Sequence, residues 1–179
     1  MQYTTHYDSP VGGLTLSSDG THLTGLWMDG QKYFGSTLDQ ETQPMDAIPL
    51  FDTVRTWLDR YFAGKRPTPQ ELPLAPKGSP FRQQVWELLC AIPYGETTTY
   101  GALSKALSAR LGRESMSAQA VGGAVGHNPI AIIIPCHRVV GATGSLTGYA
   151  GGLEKKVALL RHEGVDLSPL FLPKKGTAL

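Results

Sequence analysis

A proline-rich stretch, AGKRPTPQELPLAPKGSP at positions 63–80, constrains the fold of this 179-residue chain more than any other feature. Its five prolines fix φ and remove backbone donors, so the stretch predicts an extended linker rather than a packed element. Strand-like alternation comes before it and helical spacing comes after it. We therefore expect two domains, residues 1–77 and residues 78–179.

The first domain has the patterns of a small α/β unit. Alternating apolar residues around Ser-Ser-Asp-Gly predict a β-hairpin within residues 11–28. Residues 46–64 show helical spacing, and Gly64 stands where a glycine commonly follows a helix end. His6 and His22 are isolated, and we interpret them as surface residues. Nothing in this domain indicates chemistry.

Three helices are predicted in the second domain before residue 128. Ser79 and Pro80 form the N-cap and first position of the first helix. Its apolar face is predicted at Phe81, Val85, Leu88 and Ile92. A second helix begins after a threonine N-cap near Tyr100, and a third is capped by Ser117 and ends near Asn128. A final helix lies in GGLEKKVALLRHEG, closed by a glycine.

The third predicted helix has almost no side chains, since residues 118–126 include three glycines and three alanines. Two consecutive glycines inside a helix cost about 1 kcal/mol each relative to alanine. Such a helix needs a compensating close approach, either to a neighbouring helix or to a ligand. With the helix before it, it forms a candidate helix-turn-helix for DNA.

Charge is distributed unequally between the two predicted domains. Residues 1–77 carry six Lys and Arg against nine Asp and Glu, a net charge of −3. Residues 78–179 carry ten against six, a net charge of +4, so this half is the better candidate for a polyanionic partner. A difference of this size is also compatible with ordinary scatter.

Nothing in the sequence indicates a membrane or disulfide-stabilised protein. The first ten residues lack the apolar core of a secretion signal, and no apolar run approaches the roughly 20 residues of a membrane helix. Two cysteines, Cys90 and Cys136, are too few for a disulfide framework or a cysteine zinc site. Cys90 is interpreted as a packing residue. We expect a cytoplasmic protein, nucleoid-associated if bacterial, with no bound metal.

The segment NPIAIIIPCHRVVG, at 128–141, places Cys136 and His137 directly after an apolar run typical of a buried strand. A cysteine with a pKa near 8.5 needs a base to act as a nucleophile, and histidine is the usual base. Successive strand side chains point to opposite faces, so the pair needs a sharp turn or a bridging water. Glu154 and Glu163 are both candidates to orient the imidazole. The alternative is a buried packing cysteine beside a surface histidine.

Three segments together resemble the O6-alkylguanine-DNA alkyltransferase family. IPCHRVVGATGSLTGYAGGLEKKVALLRHEG resembles its active-site region, FRQQVWELLCAIPYGETTTYGALSKAL its first two DNA-binding helices, and AVGGAVGHNP its recognition helix and following turn. The resemblance covers residues 80–165 almost continuously. It implies an α+β protein: an N-terminal α/β (ribonuclease-H-like) unit, then a helical winged-helix-like DNA-binding domain that carries the active-site cysteine.

The resemblance implies single-turnover repair of double-stranded DNA, without a cofactor. An alkyl group on O6 of a flipped guanine would pass to Cys136 and remain there. His137 would accept the thiol proton through a water, and Glu163 would hold His137. Tyr100 would assist flipping and donate a proton to the leaving guanine, and Asn128 would brace the turn. The implied substrate-pocket residues are Tyr149, Ala150 and Val139, and the implied DNA-binding residues are Ser117, Gln119, Ala120, Gly123, Arg113 and Arg138.

One position departs from the family pattern. The family usually places an arginine in the recognition helix, inserted in place of the flipped base, where this sequence has Gln119. The connection before it is also longer than expected. Arg110 or Arg113 in that connection is the candidate source of the missing positive charge.

Two other functions compete with alkyl transfer for this sequence. A non-enzymatic lesion-binding protein of the same fold is the main alternative, although such proteins lack the reactive cysteine. A Cys-His-Glu hydrolase is the third, but nothing in the sequence supplies an oxyanion hole. We expect a monomer in solution and leave open whether binding on DNA is cooperative.

Overall fold

The computed structural model describes residues 1–172, which form two units. The first unit contains Met1–Lys77, and the second contains Gly78–Asn128 and the chain from Ile134 onward. Residues 173–179, the end of the second predicted domain, lie outside the described residues. No helix among the described residues is both long and apolar enough to cross a membrane.

The short segment Pro129–Ile133 departs from the predicted division, because it belongs to the first unit. Backbone hydrogen bonds explain this: the Leu26 amide donates to the Pro129 carbonyl at 2.8 Å, and the Ala131 amide donates to the Leu26 carbonyl at 3.0 Å. No pattern in the sequence predicts this pairing, since the partner of Pro129–Ile133 lies about 100 residues earlier in the chain.

A four-stranded sheet is the centre of the first unit. Its strands are β1 (Tyr3–Ser9), β2 (Gly12–Ser18), β3 (Leu23–Met28) and β4 (Gln43–Pro44), in the order β3-β2-β1-β4. β1 and β4 are parallel, and the other pairs are antiparallel. β2 and β3 confirm the predicted hairpin. β1 was not predicted, because its side chains are mostly polar and carry no clear apolar alternation.

Helix α1 (Pro49–Phe62) lies against β1 and β2 and confirms the predicted helix. Its buried residues are Phe51, Val54, Trp57, Leu58 and Tyr61. Gly64 follows the helix end with a φ of 83°, the left-handed conformation expected of a terminating glycine.

The proline-rich stretch is held by the first unit rather than extending as a free linker. The Leu23 amide donates to the Pro73 carbonyl at 2.8 Å, and the Ala75 amide donates to the Leu23 carbonyl at 2.9 Å. Farther upstream, the Trp57 indole donates to the Thr68 carbonyl at 2.9 Å. The prediction of an unpacked linker is therefore wrong for these residues, because β3 offers backbone partners that proline does not block.

Four helices and a two-stranded parallel sheet form the described part of the second unit. The helices are α2 (Pro80–Cys90), α3 (Tyr100–Leu111), α4 (Ala118–Gly126) and α5 (Leu153–His162), and the strands are β5 (Thr98–Thr99) and β6 (Val139–Val140). The three predicted N-caps are confirmed, since the side chains of Ser79, Thr99 and Ser117 each accept a hydrogen bond from the backbone of the first helical turn.

The buried face of α2 differs from the predicted one. Val85 is buried as predicted, but Trp86 and Leu89 complete the face, whereas Phe81 and Leu88 are only half-buried. Trp86 also donates its indole N–H to the carbonyl of Ala124 in α4 at 2.8 Å. The buried face of α2 is therefore centred on Val85, Trp86 and Leu89 rather than on the predicted apolar stripe.

A small apolar core lies under the loop that joins β6 to α5. Its buried members are Val140, Leu146 and Leu160. The chain after α5 returns to this loop, where the Leu146 amide donates to the Phe171 carbonyl at 2.9 Å and the Phe171 amide donates to the Gly144 carbonyl at 3.0 Å. The loop is therefore held by the apolar side chains that pack against it and by backbone hydrogen bonds to Phe171.

Candidate active site

Two tight turns, not a strand, lead the chain into the Cys-His pair. The Ile133 amide donates to the Ala131 carbonyl at 2.8 Å, which closes a γ-turn around Ile132. Ile132 has a φ of 70°, a strained conformation for a β-branched residue. The Cys136 amide then donates to the Ile134 carbonyl at 2.8 Å, and a 3₁₀ turn begins. The strand suggested by the apolar run is wrong, and the sharp turn is the alternative that the structure adopts.

The Cys136 thiol is buried and has a side-chain partner. The Asn128 amide nitrogen donates to the Cys136 sulfur at 3.1 Å and to the Ile134 carbonyl at 2.8 Å. Burial raises the pKa of the Cys136 thiol, while the hydrogen bond from Asn128 and the nearby Lys156 act in the opposite direction. Asn128 thus both fixes the turn and supplies a donor that favours the thiolate.

His137 is fully buried and bound to one of the two candidate carboxylates. Its Nε2 lies 2.6 Å from Oε2 of Glu163, whereas Glu154 is exposed in the first turn of α5. Nδ1 of His137 is buried and has no hydrogen-bond partner among residues 1–172. Burial lowers the pKa of His137, although Glu163 favours the charged form. The arrangement is that of a neutral imidazole with Nε2–H bound and Nδ1 left to accept a proton.

Arg138, predicted to contact DNA, lies in the same buried cluster. It is only 5% exposed. Its Nε donates to Oε1 of Glu163 at 2.8 Å, its Nη2 to Oε2 at 3.1 Å, and its Nη1 to the Ile92 carbonyl at 2.6 Å. The predicted DNA contact of Arg138 is therefore wrong, because Glu163 and the backbone just after α2 bind the guanidinium.

Two tyrosines lie beside the thiol. The Tyr100 hydroxyl, at the start of α3, donates to the Thr147 carbonyl at 3.1 Å. Burial raises the pKa of Tyr100 to about 12, so its phenol stays protonated at neutral pH. A Cβ at position 148 would lie 2.5 Å from that hydroxyl, which explains Gly148. The Tyr149 ring meets the His137 ring edge to face at 6.4 Å.

The other predicted pocket residues lie on either side of this group. Ala150 follows Tyr149 and is half-buried. Val139 is fully buried in β6, so its side chain packs inside the unit and its backbone carbonyl is the part that can serve a site.

Lys156 is a member of the site that sequence reasoning missed. It is almost completely buried in α5, and its Nζ donates to the carbonyls of Val139 and, at 2.8 Å, Thr147. Burial lowers the pKa of Lys156 to about 8. Its position could have revealed it: Lys156 falls three residues after Leu153 and four before Leu160, on the apolar stripe of the helix.

Helix α4 presents small residues on an open surface. Gln119 and Ala120 are exposed, as is the Ser117 N-cap. A Cβ added at Gly122 or Gly123 would meet no atom within 4 Å, so no neighbouring helix requires these glycines. Close packing against a neighbouring helix among the described residues therefore does not explain these glycines. The explanation that is left is close approach by a ligand.

The two arginines proposed to replace the missing charge differ in their surroundings. Arg110 Nη1 donates to Glu87 at 2.9 Å and to Gln84 at 3.1 Å. Arg113 lies in the exposed connection before α4. Arg113 is therefore the better candidate for a DNA contact.

Two family models match this chain. Residues 2–76 match the 6-O-methylguanine DNA methyltransferase ribonuclease-like domain, and residues 80–165 match the DNA binding domain of the same family. The chain belongs to the 6-O-methylguanine DNA methyltransferase family. This confirms the resemblance and the predicted α+β fold, with the ribonuclease-like part first.

Individual relatives of this methyltransferase-family chain cover nearly its full length. It is 41% identical to a methylated-DNA–protein-cysteine methyltransferase of Haemophilus influenzae over 91% of this chain and 87% of the relative. It is 45% identical to the methylated-DNA–protein-cysteine methyltransferase of Mycobacterium bovis, over 88% of this chain and 92% of the relative. The crystal structure of Mycobacterium tuberculosis O6-methylguanine methyltransferase is 44% identical, covers 91% of this chain and 93% of its own, and has a TM-score of 0.76.

A further solved relative of this methyltransferase-family chain is the Mycobacterium tuberculosis protein OGT in complex with DNA. It is 43% identical over 94% of both chains, with a TM-score of 0.76. The residues brought together around Cys136 all lie within the match to the family's DNA binding domain.

Proposed function

We propose that this protein repairs O6-alkylguanine in double-stranded DNA by moving the alkyl group onto Cys136, once per molecule. The observation that carries the proposal is a buried thiol that accepts a hydrogen bond from Asn128, next to a histidine held by Glu163. Matches to named methyltransferases over most of the chain support it.

The transfer is balanced without a cofactor. The Cys136 sulfur forms a bond to the alkyl carbon while the bond from that carbon to guanine O6 breaks, and guanine keeps the electron pair. The thiol proton passes to Nδ1 of His137 through a water, and the resulting imidazolium is stabilised by Glu163. The Tyr100 hydroxyl donates the proton that the leaving guanine takes up, and the proton held by His137 is then returned through solvent to the Tyr100 oxygen, so that both side chains end neutral. Since a thioether has no good leaving group, the protein is not regenerated.

The base pocket in this proposal is formed by the loop after β6. Tyr149 supplies an aromatic ring for stacking on the flipped base, and the backbone of Ala150 and Val139 supplies polar groups. Lys156 holds the carbonyls of Val139 and Thr147, which fixes the two sides of the loop to α5.

The DNA contact in this proposal is made by α4. Its open face, where Gln119 lies beside the small residues Ala120 and Gly123, suits close approach to a minor groove. The match to a DNA binding domain and the DNA complex of a relative support this partner. We propose that a monomer performs the reaction, since one chain by itself supplies the thiol, the histidine and the carboxylate that holds it.

Intact mass with peptide mapping tests the proposal directly. The protein is mixed with a duplex carrying one O6-methylguanine. We expect a gain of one CH₂ unit on the peptide containing Cys136, and none in the Cys136→Ala variant. Cys90 is the internal control, since burial raises the pKa of that thiol to about 11. Lesion-selective DNA binding without any mass gain would instead support a non-enzymatic lesion-binding protein.

A further inference from the structure

A buried arginine is an unusual companion for a histidine that must accept a proton. A carboxylate beside a histidine ordinarily favours the imidazolium form. In this cluster Glu163 is shared between His137 and Arg138, and all three side chains are buried. Arginine remains charged at all relevant pH values. The cluster therefore has no net charge when His137 is neutral and gains an uncompensated charge when His137 is protonated.

The carboxylate of Glu163 has little capacity left for further donors. Its Oε1 accepts from Arg138 Nε at 2.8 Å and from the Gly95 amide at 3.1 Å. Its Oε2 accepts from Arg138 Nη2 at 3.1 Å and from His137 Nε2 at 2.6 Å. The bidentate arginine fixes the orientation of the carboxylate, and the carboxylate, which can only accept, holds the proton on Nε2 of the imidazole. Nδ1 is thereby kept as the basic nitrogen.

We propose that Arg138 is a positioning residue that keeps His137 neutral, with Nδ1 ready to accept the Cys136 proton. This inference rests on the proposed alkyl transfer. Its contribution is electrostatic and geometric: Arg138 balances the charge of Glu163 and sets the tautomer of His137, without touching substrate or thiol.

The other groups that face His137 act in the same direction or are uncharged. Lys156 in α5 disfavours a second positive charge, and Tyr149 meets the ring as a neutral phenol because burial raises its pKa well above the ordinary value. Cys136 precedes His137 in the chain and is the group whose proton is to be accepted. Burial is the largest cause of the lowered pKa of His137. Glu163 raises this pKa, and the charge of Arg138 lowers it again.

The test is the pH dependence of benzyl transfer from free O6-benzylguanine to Cys136, followed by intact mass. Because free O6-benzylguanine is not part of DNA, the measured rate does not depend on DNA affinity. In Arg138→Met, loss of the positive charge raises the pKa values of its neighbours, so the acid limb of the rate profile is expected to move upward by about one pH unit or more. Arg138→Lys, which keeps the positive charge, is expected to leave the acid limb close to its wild-type position.

A matched control is available in the first unit. Arg60 also pairs with a glutamate, Glu71, at 2.8 Å, but this pair is exposed. Arg60→Met is expected to keep the wild-type profile. If Arg138→Met lowers the rate by the same factor at every pH, Arg138 only supports the fold and the inference is overturned.

A second measurement needs no variant of Arg138, whose loss can prevent folding. The imidazole nitrogens of the wild-type protein are titrated by ¹⁵N NMR, with the His137 signals identified by their absence in His137→Gln. Nδ1 of His137 is expected to remain unprotonated well below the ordinary histidine value of about 6.5. Half-protonation at or above that value would overturn the inference. Failure of the wild-type protein to take up benzyl would refute the proposed function, whereas the NMR titration would still show whether His137 is neutral, which the inference about Arg138 requires.

Discussion

Replacing Glu163 by glutamine probes the buried cluster most directly. The carboxylate accepts four hydrogen bonds, two of them from Arg138. In glutamine, the side-chain NH₂ would face groups that are themselves hydrogen-bond donors. The Arg138 guanidinium would also lose its negatively charged partner. Removing one partner of a buried pair costs about 3–5 kcal/mol. For a chain of this size, the melting temperature is expected to fall by roughly 6–20 °C.

The pH dependence of this loss has a definite sign. Burial alone would raise the pKa of Glu163, but the hydrogen bond from His137 and the hydrogen bonds and charge of Arg138 hold it well below its ordinary value of 4.5. The folded carboxylate therefore stays ionised where the unfolded one is protonated. Its contribution to stability is complete above that ordinary value and is lost as the pH falls below it. The difference between wild type and Glu163→Gln should be larger at pH 7 than near pH 3.

Urea unfolding at both pH values measures this difference. Glu154→Gln is the matched control, since Glu154 is exposed on the same helix. It is expected to change stability by no more than about 0.5 kcal/mol. A Glu163→Gln variant within about 1 kcal/mol of wild type at neutral pH would refute the reasoning. So would a loss of stability that does not shrink on acidification.

Three predictions concern the DNA-binding face. Gln119→Arg is expected to speed repair of duplex DNA more than reaction with free O6-benzylguanine, and equal effects in single-turnover kinetics would argue against a role in flipping. Gly123→Ala is expected to stabilise the fold by up to about 1 kcal/mol in urea unfolding while weakening DNA binding, because its added methyl meets no protein atom. An unchanged affinity for DNA would show that DNA does not contact the helix at Gly123. Arg113→Ala is expected to reduce the salt slope of DNA binding by about 1, and Arg110→Ala, already paired with Glu87, by much less. The reverse order in a salt titration would contradict this assignment.

Local features of the second unit could be predicted from the sequence. Ser79, Thr99 and Ser117 cap three helices, and each needs a partner only three residues away. Cys136 and His137 were recognisable only through the resemblance of the surrounding segments to the family, since the Cys-His pair alone is also compatible with a packing cysteine. The exposed and buried sides of α2 were less well predicted, since Trp86 is fixed by a hydrogen bond to a residue 38 positions away.

The roles of the charged residues depended on the tertiary structure. The sequence by itself determined the two-part α+β fold, the capped helices and the candidate nucleophile, because these signals arise between residues within a few positions of one another. It did not separate Glu163 from Glu154, it placed Arg138 on DNA, and it omitted Lys156. The pair of His137 and Glu163 joins residues 26 apart, and that of Gly95 and Glu163 joins residues 68 apart. Whether a charge is solvated or buried against a partner is decided only when such distant segments pack together.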